Sequence, residues 1–282
     1  MLFLKTIIAD IKLKGGKTMK RQIKKALIIF VATALLFCQS ALAVFAEAQG
    51  WYTVRNKEHK QPRLDAAQMI IERYSGYYVD KRCSDGNENE EKVIYLTFDA
   101  GYENGNIEKI LNTLRDEDVK AAFFILENLV NRNEELVKRM ADEGHTVCNH
   151  TASHKDMTRV ETVEEFRAEL SALEKVYFEK TGNEMARFYR PPEGRYDEKS
   201  LRFADELGYK TIFWSLAYAD WDNNNQPSAE KAMKILLDNI HNGAIILLHP
   251  TSSTNAEILP NFIKSLRAQG YRFGTLDELT DV

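Results

Sequence analysis

Cysteine is scarce, with three in 282 residues. Cys38 falls in an N-terminal stretch read below as removable, which leaves Cys83 and Cys148. At most one disulfide could follow in an oxidising exterior. The plainer reading makes Cys148, in the apolar run Thr146-Val147-Cys148, a buried strand thiol with no redox role. Charge of one sign is lacking too: a formal charge of -4, with 28% charged residues, argues against nucleic-acid binding, and 44% hydrophobic residues argue against disorder. Internal repeats are missing. Long hydrophobic runs are confined to residues 26–37, broken by Gln39 and Ser40 before reaching the roughly 20 apolar residues that a membrane span needs.

That run follows Lys20, Arg21, Lys24 and Lys25 and precedes Ala41-Leu42-Ala43 and Val44-Phe45-Ala46. A basic stretch, an apolar stretch and small residues in this order read as a secretory signal peptide over 1–46, cleaved after Ala43 or Ala46. Met19 begins a signal of more usual form than Met1 does. An uncleaved anchor is the alternative. The mature chain is expected to be exported to the cell envelope, outside the cytoplasmic membrane, with no stable membrane span.

About 236 residues remain, enough for one catalytic domain. The polar run from 84 to 91 sets off a lead-in at 47–90, expected on the domain surface, from a catalytic domain at 91–282. Within that domain, apolar runs at 93–98, 121–126, 145–148, 188–190, 210–214, 244–248 and 271–273 predict strands. Helical spacing predicts helices at 107–117, 134–143, 163–180, 198–207, 229–241 and 256–269. Thr162 and Glu165 have capping-box spacing, and Gly144, Gly208 and Gly270 stand just past helix ends. The alternation implies an α/β fold, a single distorted (β/α) barrel of about seven strand-helix units, with catalytic groups at carboxyl strand ends.

Polar residues stand at five of those ends. Asp99 follows Leu96-Thr97-Phe98 and precedes Gly101; alone it would read as a turn or capping residue. His150 and His154 lie four apart, a spacing that one turn or tight loop can converge on a metal. Arg190 leads into Pro191-Pro192-Glu193-Gly194, and an inward Arg there needs a buried partner, for which Asp99 is placed. Asp220 and Trp221 close the run from Trp214, and His249 follows the apolar run 244–248; each alone is more often packing than chemistry. Together they form the inventory for metal-assisted hydrolysis of an acyl group, with no serine or cysteine nucleophile required.

These residues resemble the polysaccharide deacetylase family, the NodB-homology or family-four carbohydrate esterases, over residues 91–282. The runs Thr97-Phe98-Asp99-Ala100-Gly101-Tyr102-Glu103-Asn104-Gly105, Trp214-Ser215-Leu216-Ala217-Tyr218, and Leu248-His249 through Asn255-Ala256-Glu257 resemble its delta-lactam-biosynthetic de-N-acetylase branch. The resemblance implies Asp99 as general base, His150 and His154 as ligands of a divalent metal with zinc the first choice, and Arg190 balancing Asp99. It implies His249 as general acid, with Tyr196, Trp221 and Gly194 around the substrate. Asp220 would orient and charge His249, although Ala217 stands where the first of two usual acids falls. Ala100 replaces a usual third ligand; water or a side chain such as Glu103 or Asn104 would fill its place, or the metal binds weakly.

The implied reaction is de-N-acetylation of N-acetylmuramic acid in peptidoglycan, leading to muramic delta-lactam in spore cortex, by a monomer whose partner is the glycan strand. The acidic chain offers no general attraction to that anionic polymer, so recognition would be local, through residues such as Arg195 or Lys155. Deacetylation of N-acetylglucosamine in peptidoglycan or chitin, or of xylan, is the alternative activity. An inactive wall-binding module is the alternative of another class.

Overall fold

A computed structural model describes residues 47–84 and 91–281. The expected signal peptide, its proposed cleavage sites and both candidate starts lie outside these residues. Among the described residues no helix is long and apolar enough to cross a membrane.

Among the described residues ten strands occur in chain order: β1 (Gln49–Gly50), β2 (Gly76–Tyr77), β3 (Val93–Ala100), β4 (Ala122–Ile125), β5 (Thr146–Asn149), β6 (Ala186–Tyr189), β7 (Arg195–Tyr196), β8 (Lys210–Ile212), β9 (Ala244–Leu248) and β10 (Arg272–Phe273). The helices are α1 (Ile107–Asp116), α2 (Glu127–Arg132), α3 (Glu134–Asp142), α4 (Val163–Thr181), α5 (Glu198–Glu206), α6 (Ala229–Asn239), α7 (Ser253–Ala268) and α8 (Leu276–Thr280). One curled parallel sheet runs β10-β3-β4-β5-β6-β8-β2, with β9 also paired to β3. Two isolated bridges, Leu216 to Ile246 and Val79 to Ala244, link β9 to the segments following β8 and β2. The curl is therefore a distorted barrel, closed on that side by bridges where a regular barrel would have a ladder.

Two-residue periodicity in β3 sorts its side chains. Ile94, Leu96, Phe98 and Ala100 join the core beneath the helices, whereas Val93 and Tyr95 pack on the inner face with Phe124, Cys148 and Ile245. Thr97 and Asp99 continue the inner face, which carries Asp99 to the barrel mouth. The cap of α4 forms as expected, with Thr162 accepting the Glu165 N–H at 3.2 Å, but the Glu165 carboxylate reaches Glu161 N–H, one residue earlier than a reciprocal box requires.

The lead-in contributes more than surface cover. Strand β2 pairs with β8, β1 pairs antiparallel with β7, and Trp51, Ile71 and Val79 are buried with Tyr196, Leu201 and Phe213. Trp51 Nε1 donates to Trp214 O at 2.8 Å and Thr53 Oγ1 to Ser215 O at 3.1 Å, so this segment braces the chain leaving β8. Cys83 and Cys148 are both free thiols.

Candidate active site

A cavity of about 800 Å³ opens at the carboxyl ends of the strands. Asp99, His150, His154, Gly194, Trp221 and His249 all reach its lining, which brings together residues spread over 151 positions of sequence. Arg190 lies directly beneath, fully buried. Its Nη1 donates to Asp99 Oδ1 at 2.7 Å, Nη2 to Thr97 Oγ1 at 2.9 Å and Nε to Ile212 O at 2.9 Å, while the guanidinium stacks 4.1 Å from the Phe124 ring centre. The buried cation is thus satisfied by a fork of acceptors that fixes one Asp99 oxygen.

Burial alone would raise the Asp99 carboxyl; the charges of Arg190, His150 and His249 outweigh it and hold the group below its ordinary range. Asp99 is therefore an anion at neutral pH. Its Oδ2 takes no hydrogen bond from the described residues and stands 3.6 Å from His150 Nε2.

His150 follows β5 and is 3% exposed. Its Nδ1 donates to Arg190 O at 2.8 Å, and because a carbonyl only accepts, Nδ1 carries the proton and Nε2 keeps a lone pair. Burial pushes this imidazole down to about 4, so it is neutral at physiological pH despite the nearby carboxylate. The His154 ring centre lies 5.1 Å away at 72°. Thr151 and His154, with φ of 72° and 60°, fold the intervening chain back so that the two rings meet.

Elsewhere on the lining, both oxygens of the buried Asp220 hold His249. Oδ1 accepts from Nδ1 and Oδ2 from the backbone N–H, each at 2.8 Å. Asn255 Nδ2 adds donations to Asp220 Oδ2 at 2.6 Å and His249 O at 3.0 Å, and the Tyr218 hydroxyl donates to Asn255 Oδ1. Burial would lower the His249 pKa; the Asp220 hydrogen bond and charge, with Asp99 beyond, reverse that and raise it. An imidazolium is favoured on the lining that also holds an ionised carboxylate.

Not every expected substrate residue lines the cavity. Gly194 does, at φ 63°, where an added Cβ would come within 2.7 Å of the Trp214 ring. Trp221 is 65% exposed at the rim. Tyr196 is corrected: its ring is 1% exposed, packed against Trp51 and Phe213 with its hydroxyl donating to Gln49, so it supports the groove from beneath. Arg195 also lies outside the lining, paired with Asp156 at 3.0 Å. Sequence reading gave no role to Asn255 or to Tyr102, Glu193 and Tyr218 on the cavity wall, although the branch-like runs contain most of them.

The donors present fit a divalent metal held by few ligands. His150 has the arrangement of a metal-ligating imidazole, with Nδ1–H tied to a carbonyl and Nε2 bare, and His154 stands beside it. Ala100 packs fully buried in the core beneath the helices. Neither side-chain substitute comes in: Glu103 accepts the N–H groups of Gly105 and Ile107 at 2.5 and 2.9 Å, and Asn104 donates to Thr251 O at 2.8 Å. Among the described residues no three His, Cys, Asp or Glu side chains form a ready-made metal cluster.

The model of the polysaccharide deacetylase family matches residues 86–212. The peptidoglycan-N-acetylmuramic acid deacetylase PdaA of Bacillus subtilis is 39% identical over 242 residues, 85% of this chain and 88% of that protein. The solved structure of Bacillus subtilis PdaA, a family 4 carbohydrate esterase, superposes with a TM-score of 0.76 at 38% identity, covering 83% of this chain and 97% of that one. The peptidoglycan-N-acetylglucosamine deacetylase PgdA of Listeria monocytogenes is 37% identical over 188 residues, 67% of this chain but 39% of that longer protein. With this likeness added to the strand-end site, the chain belongs to the polysaccharide deacetylase family, the family 4 carbohydrate esterases.

Proposed function

We propose that this chain hydrolyses the acetamide of N-acetylmuramic acid in peptidoglycan, freeing an amine that closes on the lactyl carboxylate to give the muramic delta-lactam of spore cortex. The observation that carries the chemistry is the presence on one cavity lining of Asp99, held ionised by Arg190, and His249, held toward its protonated form by Asp220. Water attacks the acetamide carbon as Asp99 Oδ2 takes its proton; the C–N bond then breaks as His249 Nε2 protonates the departing nitrogen, leaving acetate and the free amine. Deacetylases of this family are generally metal-dependent, and here His150 and His154 would hold the cation, zinc before others. When bound, it supplies Lewis-acid polarisation of the acetamide oxygen.

Two observations support the muramic reading: the 39% identity to PdaA and the branch-like sequence runs. The likeness to PgdA supports a second reading, in which the substrate is N-acetylglucosamine. In both, the mature enzyme acts outside the cytoplasmic membrane on the glycan strand, after removal of the signal peptide at 1–46.

Acetate release and mass change on purified peptidoglycan, with and without amidase removal of stem peptides, test the assignment. Chelated and metal-restored enzyme are compared on each substrate. Metal-dependent release from the stripped glycan alone is expected. Release from intact glycan or chitin would move the activity to glucosamine, and none on any substrate would make the chain a binding module.

A further inference from the structure

Each proposed metal imidazole is preceded by a residue tied to helix α4. Asn149, before His150, is fully buried; its Nδ2 donates to Leu170 O at 3.0 Å, and its Oδ1 accepts the Thr151 N–H at 2.8 Å. Ser153, before His154, donates both its N–H and its hydroxyl to Glu169 Oε1, at 2.8 and 2.6 Å. The two anchors on the helix are consecutive residues, Glu169 and Leu170. Between them the loop holds Thr151, a β-branched residue at φ 72°, and ends at His154, at φ 60°. Neither conformation is one that L-residues adopt readily, so contacts outside the loop must hold it.

Resting on the reading of His150 and His154 as metal ligands, we infer that Glu169 is a positioning residue, which with the Leu170 carbonyl makes α4 the splint that holds the second imidazole against the first. Glu169 touches neither substrate nor metal. It acts by fixing the Ser153 peptide, whose orientation sets where the His154 side chain leaves the chain. With few protein ligands available, affinity depends strongly on how well the two imidazoles are placed in advance, because any ordering left undone must be completed on binding.

The test uses the mature chain and zinc ion alone. Zinc affinity is measured by competition with a chromophoric chelator, and exchange of the Ser153 amide hydrogen is followed in the metal-free protein. Glu169→Ala is expected to weaken zinc binding about 10–100-fold, the usual effect of losing a group that supports a metal ligand, and to speed exchange at Ser153. Because Glu169 is only partly buried and outside the apolar core, the variant should fold. Glu169→Gln keeps an oxygen that accepts both Ser153 donors and should restore affinity and slow exchange. His154→Ala, run alongside, separates the inference from its premise. Zinc binding unchanged in His154→Ala overturns the ligand pair and the splint with it. Weakened binding in His154→Ala with native affinity in Glu169→Ala overturns the splint alone.

Discussion

The proposed mechanism gives Asp99 two separable duties, balancing Arg190 and acting as base, and two substitutions tell them apart. Asp99→Ala removes the carboxylate facing a guanidinium that is 0% exposed, leaving Arg190 Nη1 without its ionic partner while Nε and Nη2 keep theirs. Breaking a buried pair from one side costs about 3–5 kcal/mol, since the remaining charge stays desolvated. For a domain of this size each kcal/mol lowers Tm by about 2–4 °C, so a fall of about 6–20 °C is expected. Asp99→Asn keeps a neutral oxygen within reach of Nη1 and should cost less, about 1.5–3 kcal/mol for the weakened charge-assisted hydrogen bond. Its effect on turnover is nonetheless severe, because an amide cannot take the proton from water: a loss of about 10²–10⁴-fold. Thermal unfolding by circular dichroism and acetate release on stripped glycan measure the two effects. An Asp99→Ala variant melting within a degree of the native protein would refute the electrostatic argument, and an Asp99→Asn variant with native turnover would refute the assignment of the base.

Asp220→Asn removes the charge that raises His249, so the alkaline limb of the kcat/KM profile should move to lower pH, while the acid limb, set by the depressed Asp99 carboxyl, stays in place. The stability that the Asp220–His249 pair contributes is full below the ordinary imidazole pKa of about 6.5 and is lost as pH rises through the raised value. Denaturant midpoints of native and variant protein should therefore converge at alkaline pH. His150→Ala should lose metal and activity together, read by elemental analysis of the purified protein; unchanged metal content would remove the ligand pair. Gly194→Ala forces a side chain to φ 63° against the Trp214 ring and should cost about 1–3 kcal/mol in urea unfolding. It should also raise KM through the displaced cavity wall.

Periodicity located the barrel because buried parallel strands leave continuous apolar runs: 244–248 is β9 residue for residue, and β3 begins at Val93 as expected but extends to Ala100. Arg190 was legible for a related reason, since a cation ending an apolar strand must find an anion and Asp99 ended another. What sequence missed was short or ambiguous. Helix α2 has six residues, too few for a 3.6-residue period to emerge, and β2 has two, taking its strand character from its neighbour β8. Glu169 and Asn255 lie within helices, where polar residues ordinarily face water; only the folded chain shows that one holds a loop and the other a carboxylate.

The departure at Ala100 draws the parts of the site together. A carboxylate as third ligand would tolerate some slack in the two imidazoles, and this chain lacks one at that position. The neighbouring candidates are committed elsewhere: Glu103 caps the start of α1, and Asn104 ties that loop to Thr251. The oxygen left facing His150 is Asp99 Oδ2, at 3.6 Å, which the proposed reaction would use as a base. A base that was also a permanent ligand would lose proton affinity to the cation. On the proposed ligation, keeping the two duties apart would leave the imidazoles as the standing protein ligands and place the demand for rigidity on the loop that joins them. That loop holds two positive φ angles in four residues, and α4 supplies it with two adjacent anchors. Weak ligation and a stiff loop would then be one solution: under the proposed ligation, the missing ligand would be offset by order established before the metal arrives.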